Sequence, residues 1–175
     1  MPVFETPRLI LRQFSLGDAP LLLQLNSDPE VVKYVHEIPL TTEEQARTII
    51  KDIILPQYEN KLGRWAIHKK ENDEFIGWCG LKHIPAKNEI DLGYRLLKKE
   101  WGKGFATEAA LHTLEYGFKE LQLSIIVGKA HVDNIASLNI LEKIGMKFIN
   151  EEVEDGCPIK LYTITNPIRG RVANG

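Results

Sequence analysis

Apolar and polar positions divide this chain into a series of short elements. Arg8 to Phe14, RLILRQF, follows Pro7 and is rich in β-forming residues, which predicts a first strand. From Ser15 to Asn26 the residues Leu16, Ala19, Leu22, Leu23 and Leu25 form one apolar helical face. Pro29 to Val35 reads as a second short helical turn. Thr41-Thr42-Glu43-Glu44-Gln45 offers a capping box, a Thr followed three residues later by Glu or Gln. It opens a helix expected to stop near Leu55, because Pro56 follows.

The pattern then turns to strands. Gly63 to Lys69 and Glu74 to Ile84 flank a polar turn and predict an antiparallel hairpin. Gly77 and Gly80 inside the second strand mark a bulge or a close backbone approach. Glu89 to Leu97 is a further strand, and Phe105 to Leu121 is a long helix with Ala106, Ala109, Ala110, Leu114 and Phe118 near one face. SIIVGKAH, Ser124 to His131, has the apolar run of a buried strand. A helix follows, with Asp133 or Asn134 as its cap and Gly145 where a C-terminal glycine cap belongs. Lys147 to Val153 and Ile159 to Thr165 make a last hairpin through Asp155-Gly156. The order β, α, α, β, β, β, α, β, α, β, β fits an α/β fold, a mixed and largely antiparallel sheet with helices on both faces. We expect one domain over residues 1–166 and a flexible tail over 167–175, where periodicity ends.

The chemistry concentrates at the start of the long helix. A strand, two glycines (Gly102 and Gly104) and a helix start follow one another. The first N–H groups of a helix have no partner within it, and the helix dipole favours negative charge there. Glycine lets a ligand come close to the backbone. The turn therefore suits a phosphate or pyrophosphate. A P-loop does not fit, because Lys103 is followed by Gly104 and no Ser or Thr is placed for a metal ion. A dinucleotide fingerprint fits poorly, because its third glycine is Thr107 and the acid at the right distance, Glu120, falls inside the helix. A plain glycine-containing turn is the remaining alternative.

Trp101-Gly102-Lys103-Gly104-Phe105-Ala106 resembles the pyrophosphate loop of the GNAT acetyltransferases, Arg/Gln-x-x-Gly-x-Gly/Ala, with Trp in place of the first Arg or Gln. The full string WGKGFATEA and the opening ETPRLILR resemble the branch containing the Rim-type N-terminal acetyltransferases of ribosomal proteins. A second family-like motif is Asn134-x-x-Ser137-x-x-x-Leu141-Glu142-Lys143-x-Gly145-Met146. The resemblance covers Glu5 to Asn166 and implies the acyl-CoA N-acyltransferase fold, with acetyl-CoA as cosubstrate and no metal. By that resemblance, residues Trp101 to Thr107 hold the pyrophosphate. Asn134 contacts the pantetheine arm or caps its helix. Ser137 protonates the departing thiolate or is an ordinary helix residue. The strand before the loop splays from its neighbour, and free N–H groups near Leu96 and Leu97 meet the thioester carbonyl. The two early helices border the acceptor.

A base is needed as well, since an alkyl amine is mostly protonated at neutral pH. Asp91 matches the acid that precedes Gly-Tyr in this branch, and Glu89 shares its strand face. Both are otherwise solvent-facing strand ends. Glu108 is expected to orient helix and sheet. Glu151, Glu152, Glu154 and Asp155 read as a solvated hairpin edge in preference to an amine-attracting cluster. Tyr94 and Tyr162 are possible proton donors, with core packing the main role of Tyr94. Of the five histidines, His131 alone falls near the cleft the resemblance implies, and none shows metal spacing.

Composition narrows the setting. The 175 residues are 43% hydrophobic and 26% charged, ordinary for a soluble globular chain with one core. A net charge of -2 argues against nucleic acid, and two cysteines argue against a disulfide framework. No signal peptide or membrane span is seen, so the expected setting is cytoplasmic, as a monomer or homodimer. The implied function is acetyl transfer from acetyl-CoA to a primary amine, a protein N-terminus or a small amine, by direct attack in a ternary complex. The alternative is an idle acyl-CoA-binding or protein-interaction domain.

Overall fold

The computed structural model describes residues 1–168. The tail read from Pro167 onward therefore lies, from residue 169, outside the described residues. Eight strands form one sheet: β1 (Pro2–Glu5), β2 (Leu9–Gln13), β3 (Gly63–Lys69), β4 (Phe75–Ile84), β5 (Glu89–Leu96), β6 (Ile125–His131), β7 (Lys147–Glu154) and β8 (Cys157–Thr165). Their spatial order is β1-β2-β3-β4-β5-β6-β8-β7. Every neighbouring pair is antiparallel except β5 with β6. The sequence reading missed β1, whose four residues have too little pattern to register as a strand; it is an edge strand paired on β2.

The helices cover both faces. Helices α1 (Ala19–Asn26), α2 (Pro29–Val32) and α3 (Glu43–Ile49) lie on one side, where Leu22, Leu25, Ala46 and Ile50 pack on Ala66, Phe75 and Trp78. Helices α4 (Phe105–Lys119) and α5 (Ile135–Lys143) lie on the other, where Ala109, Ala110, Leu114 and Leu141 pack on Trp65, Cys79, Leu92 and Leu96. Side chains of a strand alternate between faces, so odd and even residues of β5 serve different layers.

The α3 capping box is present as read: Thr42 accepts from the Gln45 N–H, and the Gln45 side chain accepts from the Thr42 N–H. The expected stop at Pro56 is corrected. The chain continues as a π-helical turn over Ile50–Ile54 and a 3-10 segment over Leu55–Asn60. Pro56 falls in the first turn of that segment, where its missing N–H is not needed. Left-handed Lys61 ends it.

The sheet parts between β5 and β6. Their register holds only at Asp91↔Val127 and Leu92↔Gly128, while β5 continues to Leu96 against β4. Gly77 allows this. A Cβ there would stand 2.0 Å from the Arg95 carbonyl oxygen and 2.8 Å from the Leu96 Cα. The end of β5 leans onto β4, which leaves a wedge on its other edge. A Cβ at Gly80 would meet the Gly63 carbonyl oxygen at 1.8 Å, so both glycines in β4 mark close backbone approaches.

Candidate functional site

The wedge opens onto the turn before α4. Gly102 and Gly104 take φ of +75° and +81°, the left-handed region that suits glycine. Gly104 is the N-cap, so no side chain caps the helix. The first N–H groups of α4 therefore face outward without a partner of their own. A Cβ at Gly102 would touch nothing within 4 Å, which leaves open space over the turn. An anion fits this cradle through backbone donors and the dipole of a 15-residue helix.

The turn is braced from β2's approach. Glu108, in the first turn of α4, accepts from Thr6 Oγ1 at 2.6 Å, from the Arg8 N–H at 2.9 Å and from Arg8 Nε at 2.6 Å. Arg8 also donates to the Lys103 carbonyl and lies 4.4 Å over the Phe105 ring. Glu108 thus orients helix and sheet, as expected, and its partners hold its carboxyl below the usual range against the cost of burial. The Lys103 ammonium is engaged by Glu100, 3.1 Å away, and Trp101 donates its indole N–H to the Leu96 carbonyl at 3.0 Å.

The carbonyl-binding donors need one correction. The Leu97 N–H donates to the Ile76 carbonyl at 2.8 Å and is not free. Bonding direction alternates along an antiparallel strand. Leu96, the next residue, pairs with Gly77 across β4 and so turns its N–H and C=O toward the wedge. Of the two, only the Leu96 N–H faces the wedge.

On the α5 side, Asn134 accepts from the Ser137 N–H at 3.2 Å and caps the helix. The Ser137 hydroxyl lies 2.8 Å from the Tyr94 hydroxyl, which also reaches the Ser137 carbonyl at 3.2 Å. Burial pushes the Tyr94 phenol upward, so it keeps its proton. Tyr94 is more than the packing residue its sequence context suggests, because its hydroxyl joins Ser137 in one hydrogen-bonded unit. The other tyrosine candidate, Tyr162, is bonded to Glu142 at 3.0 Å.

The opposite face of β5 carries Glu89, Asp91 and Arg95. Asp91 is no solvent-facing strand end: its Oδ1 is buried and has no hydrogen-bond partner among the described residues. Burial raises its carboxyl to about 7, with Lys129 and Lys82 opposing the shift. Glu89 is paired instead, 3.2 Å from Lys129 Nζ, which also meets Glu154 at 3.0 Å. Glu152 and Glu154 turn back to Lys87, so these two acids are not a freely solvated edge. Arg95 makes a two-pronged bond to Glu37 at 2.8 and 3.1 Å and a third to Asn26 at 2.8 Å. The His131 ring contacts Tyr34, with centroids 5.3 Å apart. Reading β5 by alternate residues shows that Asp91, Gly93 and Arg95 share a face; no local motif announces Glu37 or Asn26 as partners of Arg95.

Among the described residues no group of three or more His, Cys, Asp or Glu is placed to hold a metal ion, and no helix is long and apolar enough to cross a membrane. The arrangement puts an anion cradle and a hydroxyl pair against one face of a parted sheet, with a buried carboxyl on the other.

Comparison with known proteins agrees with this geometry. Residues 8–147 match the acetyltransferase (GNAT) domain family. The chain is 40% identical over 148 residues to the N-acetyltransferase p20 of Bacillus licheniformis, covering 84% of this chain and 83% of that one. Its fold is shared by a ribosomal L7/L12 alpha-N-protein acetyltransferase, RimL, in complex with coenzyme A, at a TM-score of 0.82 and 18% identity over 94% of this chain and 98% of that one. It is also shared by a spermidine N-acetyltransferase from Vibrio cholerae in complex with coenzyme A and spermine, at a TM-score of 0.75 and 22% identity over 90% and 95%. The chain belongs to the GNAT acetyltransferase family and is an acetyl-CoA-dependent N-acetyltransferase.

Proposed function

We propose that one domain, residues 1–166, transfers an acetyl group to a primary amine by direct attack in a ternary complex, using the two faces of the wedge for the two substrates. The observation that carries this reading is the parting of β5 from β6 after Leu92, with the uncapped α4 turn on one side and buried Asp91 on the other. Acetyl-CoA supplies the activated acetyl group and a thiolate leaving group. The N–H groups of Gly102 to Thr107 bind its pyrophosphate, with Trp101 fixing the turn on Leu96. The Leu96 N–H points at the carbonyl oxygen, where negative charge develops. Asp91 takes the proton that the amine loses as the C–N bond forms, and Glu89 holds Lys129 beside it. As the C–S bond breaks, Ser137 gives its hydroxyl proton to the sulfur and takes one in turn from the Tyr94 phenol, which is reprotonated from solvent. Asn134 keeps Ser137 in the first turn of α5.

The acceptor in this reading is either a protein N-terminus, as the Rim-type resemblance of WGKGFATEA favours, or a small amine. Isothermal titration of acetyl-CoA, with ATP and NAD as controls, tests the cosubstrate site. Thiol release across an amine panel tests the transfer. Saturable binding of acetyl-CoA alone is expected; preference for ATP or NAD would overturn the assignment of the α4 turn.

A further inference from the structure

The acceptor face carries cations to which none of its acids is bonded among the described residues. The Arg64 guanidinium lies 4.8 Å over the ring of Trp78, and no hydrogen bond or ion pair reaches it among the described residues. Arg64, Gly80 and Gly93 form one cross-strand row, and Lys82 and Asp91 sit side by side in the next. A Cβ at Gly93 would stand 3.1 Å from the six-membered ring of Trp78. The indole thus lies against bare strand and carries the guanidinium on it. The indole Nε1 is itself buried without an acceptor. Lys82 also has no ion-pair partner among the described residues.

Four of the acids on this face are already taken. Glu37 holds Arg95, Glu89 and Glu154 hold Lys129, and Glu152 holds Lys87. Among the described residues, Asp91 is the one acid named here without a bonded cation. A polyamine would find a single place for one of its nitrogens and would bring the others against Arg64 and Lys82. An acceptor with an oxyanion meets the opposite situation. A desolvated guanidinium stacked on an aromatic ring is a strong carboxylate and phosphate site, because its charge-assisted bonds form where water is scarce.

We propose that the acceptor is an amine that carries an anionic group, a carboxylate or a phosphate, and that Arg64 holds this group on the face of Trp78 while the amine faces Asp91. This rests on the transferase reading above and names its substrate class. Arg64 is then a specificity residue: it sets KM for anionic acceptors and leaves the transfer step alone.

The test is thiol release from acetyl-CoA by the full chain over matched pairs: free amino acids against their α-amides, and phosphoethanolamine against ethanolamine, with spermidine alongside. The pairs separate carboxylate from phosphate. In the wild-type protein we expect at least one anionic member to exceed its neutral partner by about 10-fold or more in kcat/KM, the value of a charged hydrogen bond. Arg64→Gln should erase that ratio through KM, with kcat and acetyl-CoA affinity kept, and Arg64→Lys should restore part of it. Equal use of both members, preference for spermidine, or an equal loss on both members in Arg64→Gln would overturn the proposal. Turnover of no panel member would overturn it too. Saturable acetyl-CoA binding in that event would leave the cosubstrate assignment standing, so the two failures are distinguishable.

Discussion

Asp91, the proposed base, would tie stability to activity in a way that one substitution exposes. Its ordinary value is 3.8 and burial raises it to about 7 in the folded chain. Between those values the folded state binds one proton more than the unfolded state, so stability falls as pH rises through that window and is level above it. The shift is about 3 pH units, worth ~4 kcal/mol by about pH 8 and ~1.6 kcal/mol by about pH 5. Asp91→Asn removes the titration. Its amide leaves buried polar atoms of its own, a cost of about 1–3 kcal/mol that does not vary with pH. The difference between wild type and variant therefore changes by about 2–3 kcal/mol from about pH 5 to pH 8, in favour of the variant. For a chain of this size that is roughly 5–10 °C in the gap between the two Tm values. The assay is thermal unfolding of both proteins by circular dichroism at fixed ionic strength across that range. Parallel curves would show that Asp91 is ionised at ordinary cost in the fold and would remove the physical basis for its role as base. In the same variant, kcat/KM should fall by about 100-fold or more and lose its rise near neutral pH.

Three further outcomes follow from the wedge. Gly77→Ala places a methyl 2.0 Å from the Arg95 carbonyl oxygen, so β5 must move back toward β6; denaturant titration should show a loss of about 3 kcal/mol or more, with acetyl-CoA binding weakened in whatever remains folded. Gly104→Val strains a backbone at φ +81° where nothing but Arg8 lies near; isothermal titration should show acetyl-CoA affinity down by about 10-fold or more in a folded protein. Tyr94→Phe removes the hydroxyl 2.8 Å from Ser137; kcat should fall by about 10-fold while acetyl-CoA affinity holds, and an equal loss of affinity would mean that the pair only shapes the pocket.

Local signals carried much of the fold. The Thr42 box, the Asp155-Gly156 turn and the glycine turn before Phe105 are each written within a few residues, and each is present. The passage through Pro56 was not legible, because widening and then tightening of a helix depends on what it packs against. The sequence alone does not separate Leu96 from Leu97 because strand pairing is not local: which of two consecutive N–H groups faces the wedge depends on register with Gly77, about twenty residues away. Arg64 escaped for the same reason. It stands alone in sequence, and only the pairing of β3, β4 and β5 brings it over Trp78 toward Asp91's side of the sheet.

That pairing also explains how one short strand can serve two substrates. The even residues of β5, Tyr94 and Leu96, face the α4–α5 layer, where Ser137 and the anion cradle lie. The odd residues, Glu89, Asp91 and Arg95, face the α1–α3 layer with Glu37 and Asn26. In the proposed reading, period-two alternation therefore sorts thiolate chemistry from amine chemistry. The sorting works only because β6 leaves β5 after Leu92. With a continuous ladder, the Leu96 N–H would be spent on β6, and the two faces would have no opening through which an amine on one side reaches a thioester on the other. In that proposal the wedge at Gly77, rather than any single titratable group, is what lets these residues act together.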